Sequence, residues 1–279
     1  MGWRSGGSGP ALVISNGLGT PPEAWPALIR PDSGYRVATY YYRGTGGSER
    51  PADRSRIRVE DHLSDLIALM DHEGIERALV ASWSIGVNVA FELARRHPER
   101  VAGMLVVAGI PGGSFGSMFA PVGVPKRLRH RAGRGVCRLA RALGPQLSAV
   151  ARALPMTDLV ADVIAHTGFM LPAARPGVTV PALTEFFRND FRWYFELALA
   201  AGEHPAMDVS FLTCPTTVVA GKWDSLTACA DVVAVAGRIP QAQLVVLPGS
   251  HFLPLEYPAE MERLAAELVS RCAAEPQAA

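Results

Sequence analysis

The chain has 279 residues, 49% of them apolar, and its 27 Lys and Arg nearly balance 26 Asp and Glu for a formal net charge of +1. That length allows one large α/β domain or two modest ones around a large core, and the charge balance gives no bulk pull towards nucleic acid or an acidic partner. Cys137, Cys214, Cys229 and Cys272 are too scattered for a disulfide scaffold and form no C-x-x-C pair, so each is expected to be a small buried or half-buried thiol.

The first residues, Met1-Gly2-Trp3-Arg4-Ser5-Gly6-Gly7, have no apolar segment behind their first charge, so no signal peptide is expected. Gly6 stands where a myristoylation pattern needs Ser or Thr. The uncharged run 101–125 is long enough to span a bilayer. Gly109, Pro111, Gly112, Gly113 and Gly116 interrupt it, and a strand followed by a loop explains it better. The expectation is a soluble, cytoplasmic protein.

Residues 1–10 are Gly-rich and read as a lead-in or frayed edge strand. Residues 11–15, Ala-Leu-Val-Ile-Ser, are a continuous apolar run of the kind found in sheets covered on both faces. Asn16-Gly17-Leu18-Gly19-Thr20 follows, and two readings fit it equally: an ordinary strand–helix loop, or a turn that points N–H groups outward. After a short amphipathic piece, residues 35–42 read as a second strand. It closes on Arg43-Gly44-Thr45-Gly46-Gly47-Ser48, which lacks the G-K-[ST] and helix-opening G-x-G-x-x-G of phosphate loops. Leu63, Leu66, Ile67 and Met70 give residues 59–72 helical spacing.

Residues 77–81 read as a strand and 87–96 as a helix that ends at His97-Pro98. Between them lies Ser82-Trp83-Ser84-Ile85-Gly86, where a strand must turn sharply into a helix. Such a turn lifts a serine hydroxyl clear of the backbone, but only if the residues two before and two after it are small. Here they are Ser82 and Gly86, a small-for-small departure from G-x-S-x-G. Residues 101–108 read as another buried strand.

From there to about residue 209 the strand-like runs disappear. Helical segments separated by Pro and Gly are expected over 136–143, 147–154, 156–164 and 181–201. Alternation then resumes with strand 216–220, helix 230–238, strand 243–247 and helix 258–271. The fold class is therefore α/β, a mostly parallel sheet with helices on both faces. A core over 1–112 and 210–272 is interrupted by a helical cap over 113–209, and 273–279 are expected to be a disordered tail.

A serine elbow needs a base and a group to orient it. Strand 216–220 runs into Gly221-Lys222-Trp223-Asp224, and strand 243–247 into Pro248-Gly249-Ser250-His251. An acid and a histidine thus appear at the carboxyl ends of consecutive strands, the edge where such sheets bind ligands. Asp224 as a simple turn cap and His251 as a satisfied loop histidine are the competing readings. His62, His72, His97, His130, His166 and His204 are expected on helix surfaces, helix ends or cap loops, and no pair has metal-ligand spacing.

With the order Ser84, Asp224, His251, the chain resembles the α/β-hydrolase superfamily, in its capped esterase, lipase and cofactor-free haloperoxidase-like group. The similarity covers residues 11–271. It is carried by the Asn16-Gly17 loop, the turn at Arg43 to Ser48, the Ser84 elbow, the Gly221 to Asp224 segment and the run from His251 to Pro258. Asn16 stands where that family commonly has His, and Tyr41 where it often has Asp. The amino terminus is too short for the two antiparallel strands that usually open the sheet.

The resemblance implies Ser84 as nucleophile, His251 as base, Asp224 as its orienting acid, and the N–H groups of Leu18 and Ile85 as an oxyanion hole. It implies no cofactor and no metal. A serine nucleophile argues against dehalogenase or epoxide hydrolase chemistry. Hydrolysis of carboxylic esters or thioesters leads; acyl transfer, perhydrolysis, carbon–carbon hydrolysis and a non-catalytic receptor remain open. The oligomeric state is not legible.

The cap sequence adds two clues about ligands. Its aromatic residues from Phe186 to Phe195, with Phe115, Met118, Phe119, Phe169 and Met170, imply an apolar pocket for a small hydrophobic ester. Trp83, Phe119, Phe187, Phe191 and Phe252 are the candidate lining, and packing within the cap is the competing reading for each. No acidic residue occurs between Glu99 and Asp158, while Lys126, Arg127, Arg129, Arg131, Arg134, Arg138, Arg141 and Arg152 do. These form either a solvated basic face or a site for an anionic substrate or an anionic lipid surface.

Overall fold

Period-two burial along the central strands is what organises the molecule, a computed structural model that describes residues 1–120, 122–167, 170–172 and 174–274. Val13, Val80, Val106 and Val218 face one core, while Leu12, Ile14, Leu79, Leu105 and Val219 face another on the opposite side of the sheet. Both faces are dry, so the strands read as unbroken apolar runs.

The strands are β1 (Trp3–Gly6), β2 (Ala11–Ser15), β3 (Arg36–Tyr40), β4 (Ala78–Trp83), β5 (Val101–Val107), β6 (Thr216–Gly221) and β7 (Ala242–Leu247). Among the described residues they form one seven-stranded sheet in the order β1-β3-β2-β4-β5-β6-β7. All pairings are parallel except that of β1 with β3. The amino-terminal edge is thus one short antiparallel strand.

Helices α1 (Val59–His72), α2 (Gly86–Arg96) and α8 (Cys229–Ala236) cover the first face, and α10 (Pro258–Ala274) covers the second. On α10, Met261, Leu264 and Leu268 are buried at one-turn spacing, each contributing about 1.5–3 kcal/mol by leaving water. This helix continues to Ala274, so Ala273 and Ala274 are ordered; the rest of the expected tail lies outside the described residues. The one-turn α9 (Leu253–Glu256) precedes it.

Between β5 and β6 run α3 (Lys126–Ala142), α4 (Gly144–Ala153), α5 (Asp158–Ala165), α6 (Pro176–Phe187) and α7 (Phe191–Gly202). Two of these differ from the sequence expectation. Helix α3 begins at residue 126 and not at 136; this part of it packs on Phe115 and Met118 through Gly133, where a Cβ would lie 3.1 Å from each. That contact leaves no apolar periodicity to read. The single helix expected over 181–201 is two, because the Asp190 side chain accepts the N–H groups of Arg192 and Trp193 at 2.9 and 3.2 Å and starts a new helix. Of the uncharged run, residues 101–120 resolve into β5 and a loop, and no helix among the described residues is long and apolar enough to cross a membrane.

Candidate active site

Ser84 sits where β4 turns into α2, with φ +56°, a conformation that costs an L-residue about 1–2 kcal/mol. The strain is held from both sides: the Ser84 N–H donates to Val107 O at 3.0 Å, and the Val87 N–H donates to Ser84 O at 3.1 Å. Gly86 cannot be larger, since a Cβ there would lie 2.0 Å from Ser15 O and 2.6 Å from Asn16 O. Ser82, at the position two before, is fully buried with its hydroxyl donating to Leu105 O at 3.3 Å. A small polar residue therefore serves there.

The ends of β6 and β7 bring the other two groups to this serine. His251 Nε2 lies 2.8 Å from Ser84 Oγ, and His251 Nδ1 lies 2.8 Å from Asp224 Oδ2. Asp224 is 1% exposed and His251 4%, so the acid–imidazole contact is shielded from water while Ser84 is half-buried. The other oxygen of Asp224 accepts the N–H groups of Leu226 and Thr227 at 2.8 and 2.7 Å. Asp224 thus caps its turn with one oxygen and meets the imidazole with the other. A proton on Nδ1 held by Asp224 leaves Nε2 to accept from the serine hydroxyl. The indole N–H of Trp83 donates to His251 O at 2.8 Å and fixes the histidine's backbone.

The loop after β2 is knotted by Asn16. Its Oδ1 accepts the Gly17 N–H at 2.9 Å and the Trp25 indole at 3.1 Å, and its Nδ2 donates to Pro21 O at 2.7 Å. Tyr42 donates to Asn16 O at 2.8 Å. Asparagine in place of histidine thus serves as the brace of this loop. Among the described residues neither the Leu18 N–H nor the Ile85 N–H has an acceptor. Free backbone donors on two loops that meet at Gly86 are the kind of group a developing oxyanion needs.

An apolar cavity of about 80 Å³ lies between the sheet edge, α5 and α6. Trp83, Phe187 and Phe252 line it, as do Ile164, Leu183 and Phe186. Ser84 and His251 do not, although their chain neighbours Trp83 and Phe252 do. Phe119 and Phe191 are also absent from its lining, contrary to expectation. The Phe191 ring stacks within the insertion against Phe186, Tyr194 and Phe195. The Phe119 N–H is tied to Ser225 O at 3.1 Å, beside the acid's turn. Phe169 lies outside the described residues.

Several supporting residues were not singled out from sequence. The buried Glu256 accepts the Ser250 N–H at 2.8 Å, the Ser250 hydroxyl at 2.5 Å and the Leu171 N–H at 2.8 Å. It joins the histidine loop to the insertion. Asn189 donates to Gly19 O at 2.8 Å, next to Leu18, and Trp193 donates to Arg43 O at 2.7 Å. An isolated Glu or Asn carries no spacing signal, and only a resemblance spanning residues 251–258 hinted at Glu256.

His62 is buried within α1 rather than on a helix surface, and His204, in the loop after α7 where such a residue was expected, is buried as well. His62 meets the Tyr42 ring edge-on. Nitrogen and oxygen atoms of Glu60, Glu92 and His204 lie within 4.8 Å of one another. Arg95 and Arg96 already bind both oxygens of Glu92 at 2.7–2.9 Å, so this cluster is a compensated ion network rather than a vacant ligand set. Burial, and then the charge of Asp224, raise the pKa of the Cys229 thiol.

A sharp strand–serine–helix turn, a histidine and a buried acid at successive strand ends, and a helical insertion define the class. Residues 10–258 match the family model described as the alpha/beta hydrolase fold, and the chain belongs to that family. Epoxide hydrolase B of Mycobacterium tuberculosis is 32% identical over 124 residues, covering 39% of this chain and 33% of that protein. The chain thus spans about a third of that relative's length. The 3-oxoadipate enol-lactonase 2 of Acinetobacter baylyi is 27% identical over 252 residues, 89% of this chain and 84% of the other. Among solved structures, a thermophilic esterase from Thermogutta terrifontis matches with TM-score 0.71 at 22% identity, covering 97% of this chain and 93% of the other. That likeness speaks for the fold.

Proposed function

We propose that this protein is a serine hydrolase that cleaves carboxylic esters, thioesters included, with apolar acyl groups. The observation that carries the reading is the unbroken series Ser84 Oγ, His251 Nε2, His251 Nδ1, Asp224 Oδ2, with both contacts at 2.8 Å. Ser84 Oγ attacks the acyl carbon while His251 takes its proton, and the negative oxygen of the tetrahedral intermediate is held by the N–H groups of Leu18 and Ile85. His251 then protonates the departing alkoxide. Water, deprotonated by the same imidazole, releases the acid from the acyl-enzyme.

Placement of a serine at the elbow supports acyl chemistry over the epoxide opening named for the Mycobacterium relative. The cavity lined by Trp83, Leu183, Phe187 and Phe252 supports an apolar acyl chain. Scattered cysteines support a reducing, cytoplasmic setting. The test is labelling with a fluorophosphonate probe, followed by mass mapping and rates on p-nitrophenyl esters of increasing chain length. Stoichiometric modification at Ser84 with loss of ester hydrolysis is expected. Hydrolysis that survives both labelling and Ser84→Ala removes the reading.

A further inference from the structure

The α3–α4 pair is packed inside out compared with an ordinary surface helix. Its inward face consists of small residues, Gly133, Cys137, Gly144, Ser148 and Ala151, all buried. A Cβ on Gly144 would lie 2.4 Å from the backbone of Arg192, and Ser148 Oγ accepts the Phe191 N–H at 2.8 Å. The inner contact is therefore complete. Large apolar side chains point the other way: Val136, Leu139, Leu143, Leu147, Val150 and Leu154 are 49, 62, 45, 39, 69 and 39% exposed.

These six follow one another at intervals of three or four residues, the period that keeps side chains on one helix face. The stripe crosses the junction between the helices without a break, since the N–H groups of Leu143 and Leu147 donate to Leu139 O and Leu143 O at 3.0 Å. A soluble helix has no reason to show water such a stripe. By helical spacing Arg131 and Arg138 flank it on one side. Arg127, Arg131, Arg138 and Arg152 are exposed and, among the described residues, have no carboxylate partner, whereas Arg129, Arg134 and Arg141 pair with Asp231, Glu203 and Glu196.

We infer that this face docks on an anionic phospholipid surface. The apolar stripe enters the boundary between headgroups and acyl chains, and the unpaired arginines meet lipid phosphates. Charge decides against a second copy of the chain as occupant: a symmetric pair would set the same unpaired arginines against one another with no acid from Glu99 to Asp158 to answer them. The inference does not depend on the ester-hydrolase reading, because its readout is partitioning.

The full chain is to be floated with vesicles of phosphatidylcholine alone and of phosphatidylcholine mixed with phosphatidylglycerol, at low and high NaCl. Binding at least tenfold tighter to the anionic vesicles, weakened by salt, is expected. Each of Arg131→Gln and Arg138→Gln should weaken partitioning about fivefold. The pair Leu139→Ser with Val150→Ser should abolish it, while Tm and the rate on a soluble short ester stay unchanged. Equal affinity for neutral and anionic vesicles, no affinity for either, or a concentration-dependent dimer dissolved by Leu139→Ser with Val150→Ser overturns the inference.

Discussion

Glu256 holds Ser250 by two hydrogen bonds, one to its N–H and one to its hydroxyl, and Ser250 is the residue before His251. The position of the imidazole therefore depends on a carboxylate that touches neither Ser84 nor Asp224. Glu256→Ala would leave several buried donors without acceptors, at about 1–3 kcal/mol apiece. Urea denaturation should show a loss of roughly 2–4 kcal/mol. Glu256→Gln, which keeps one acceptor, should lose less stability and lower kcat more than it raises KM; an unchanged kcat would reduce Glu256 to a fold residue.

The left-handed backbone at Ser84 separates activity from stability. Ser84→Ala and Ser84→Gly should both lower ester turnover by about a thousandfold or more. Glycine carries no Cβ penalty at φ +56°, so Ser84→Gly should be more stable than Ser84→Ala by about 0.5–1 kcal/mol, the αL relief minus the extra unfolded-state entropy. Paired thermal melts check the order, and a less stable glycine variant would show that the elbow stores no strain.

Leu183 projects into the apolar cavity from α6 and is 7% exposed. Leu183→Ala should enlarge the cavity and move the ester preference towards longer acyl chains, at a stability cost of about 2–4 kcal/mol. A chain-length series of kcat/KM values reads this directly. An unshifted preference would place the acyl group elsewhere.

His204 is buried against α2, and burial, opposed by Glu60 and Glu92 and reinforced by Arg95 and Arg96, lowers its pKa below the ordinary 6.5. The folded protein thus holds fewer protons on this ring than the unfolded chain does, so the contribution is complete above pH 6.5 and is lost as pH falls through the folded-state value. Stability measured by chemical denaturation should decline below pH 6.5 more steeply in the parent than in His204→Gln. Parallel declines would count against the assignment.

Much of this was legible in the chain because it rests on local patterns. Residues 59–72 show a helical apolar stripe, and β2, β4, β5 and β6 are buried on both faces and therefore read as unbroken apolar runs. Ser84, Asp224 and His251 are legible as a chain order at strand ends, and their side chains meet in the fold. What escaped detection has no period. Residues 126–135 pack through Gly133 rather than an apolar stripe, Asp190 splits an apolar run by capping, and His204 is buried by a partner more than a hundred residues away on α2. Phe191 and Phe119 show the same limit: aromatic composition announces an apolar interior but not which rings face a ligand and which face each other.

The missing Cβ at Gly86 reaches beyond the elbow. It lets the start of α2 rest on the carbonyls of Ser15 and Asn16, so the turn bearing Ser84 and the loop bearing Leu18 abut main chain to main chain. That abutment sets the Ser84 turn against the Leu18 loop from within the sheet, and from the insertion Asn189 adds a hydrogen bond to Gly19 O. Sequence change in α3 to α7 that spares the Asn189 and Leu171 contacts can therefore leave the elbow and its neighbouring loop in register.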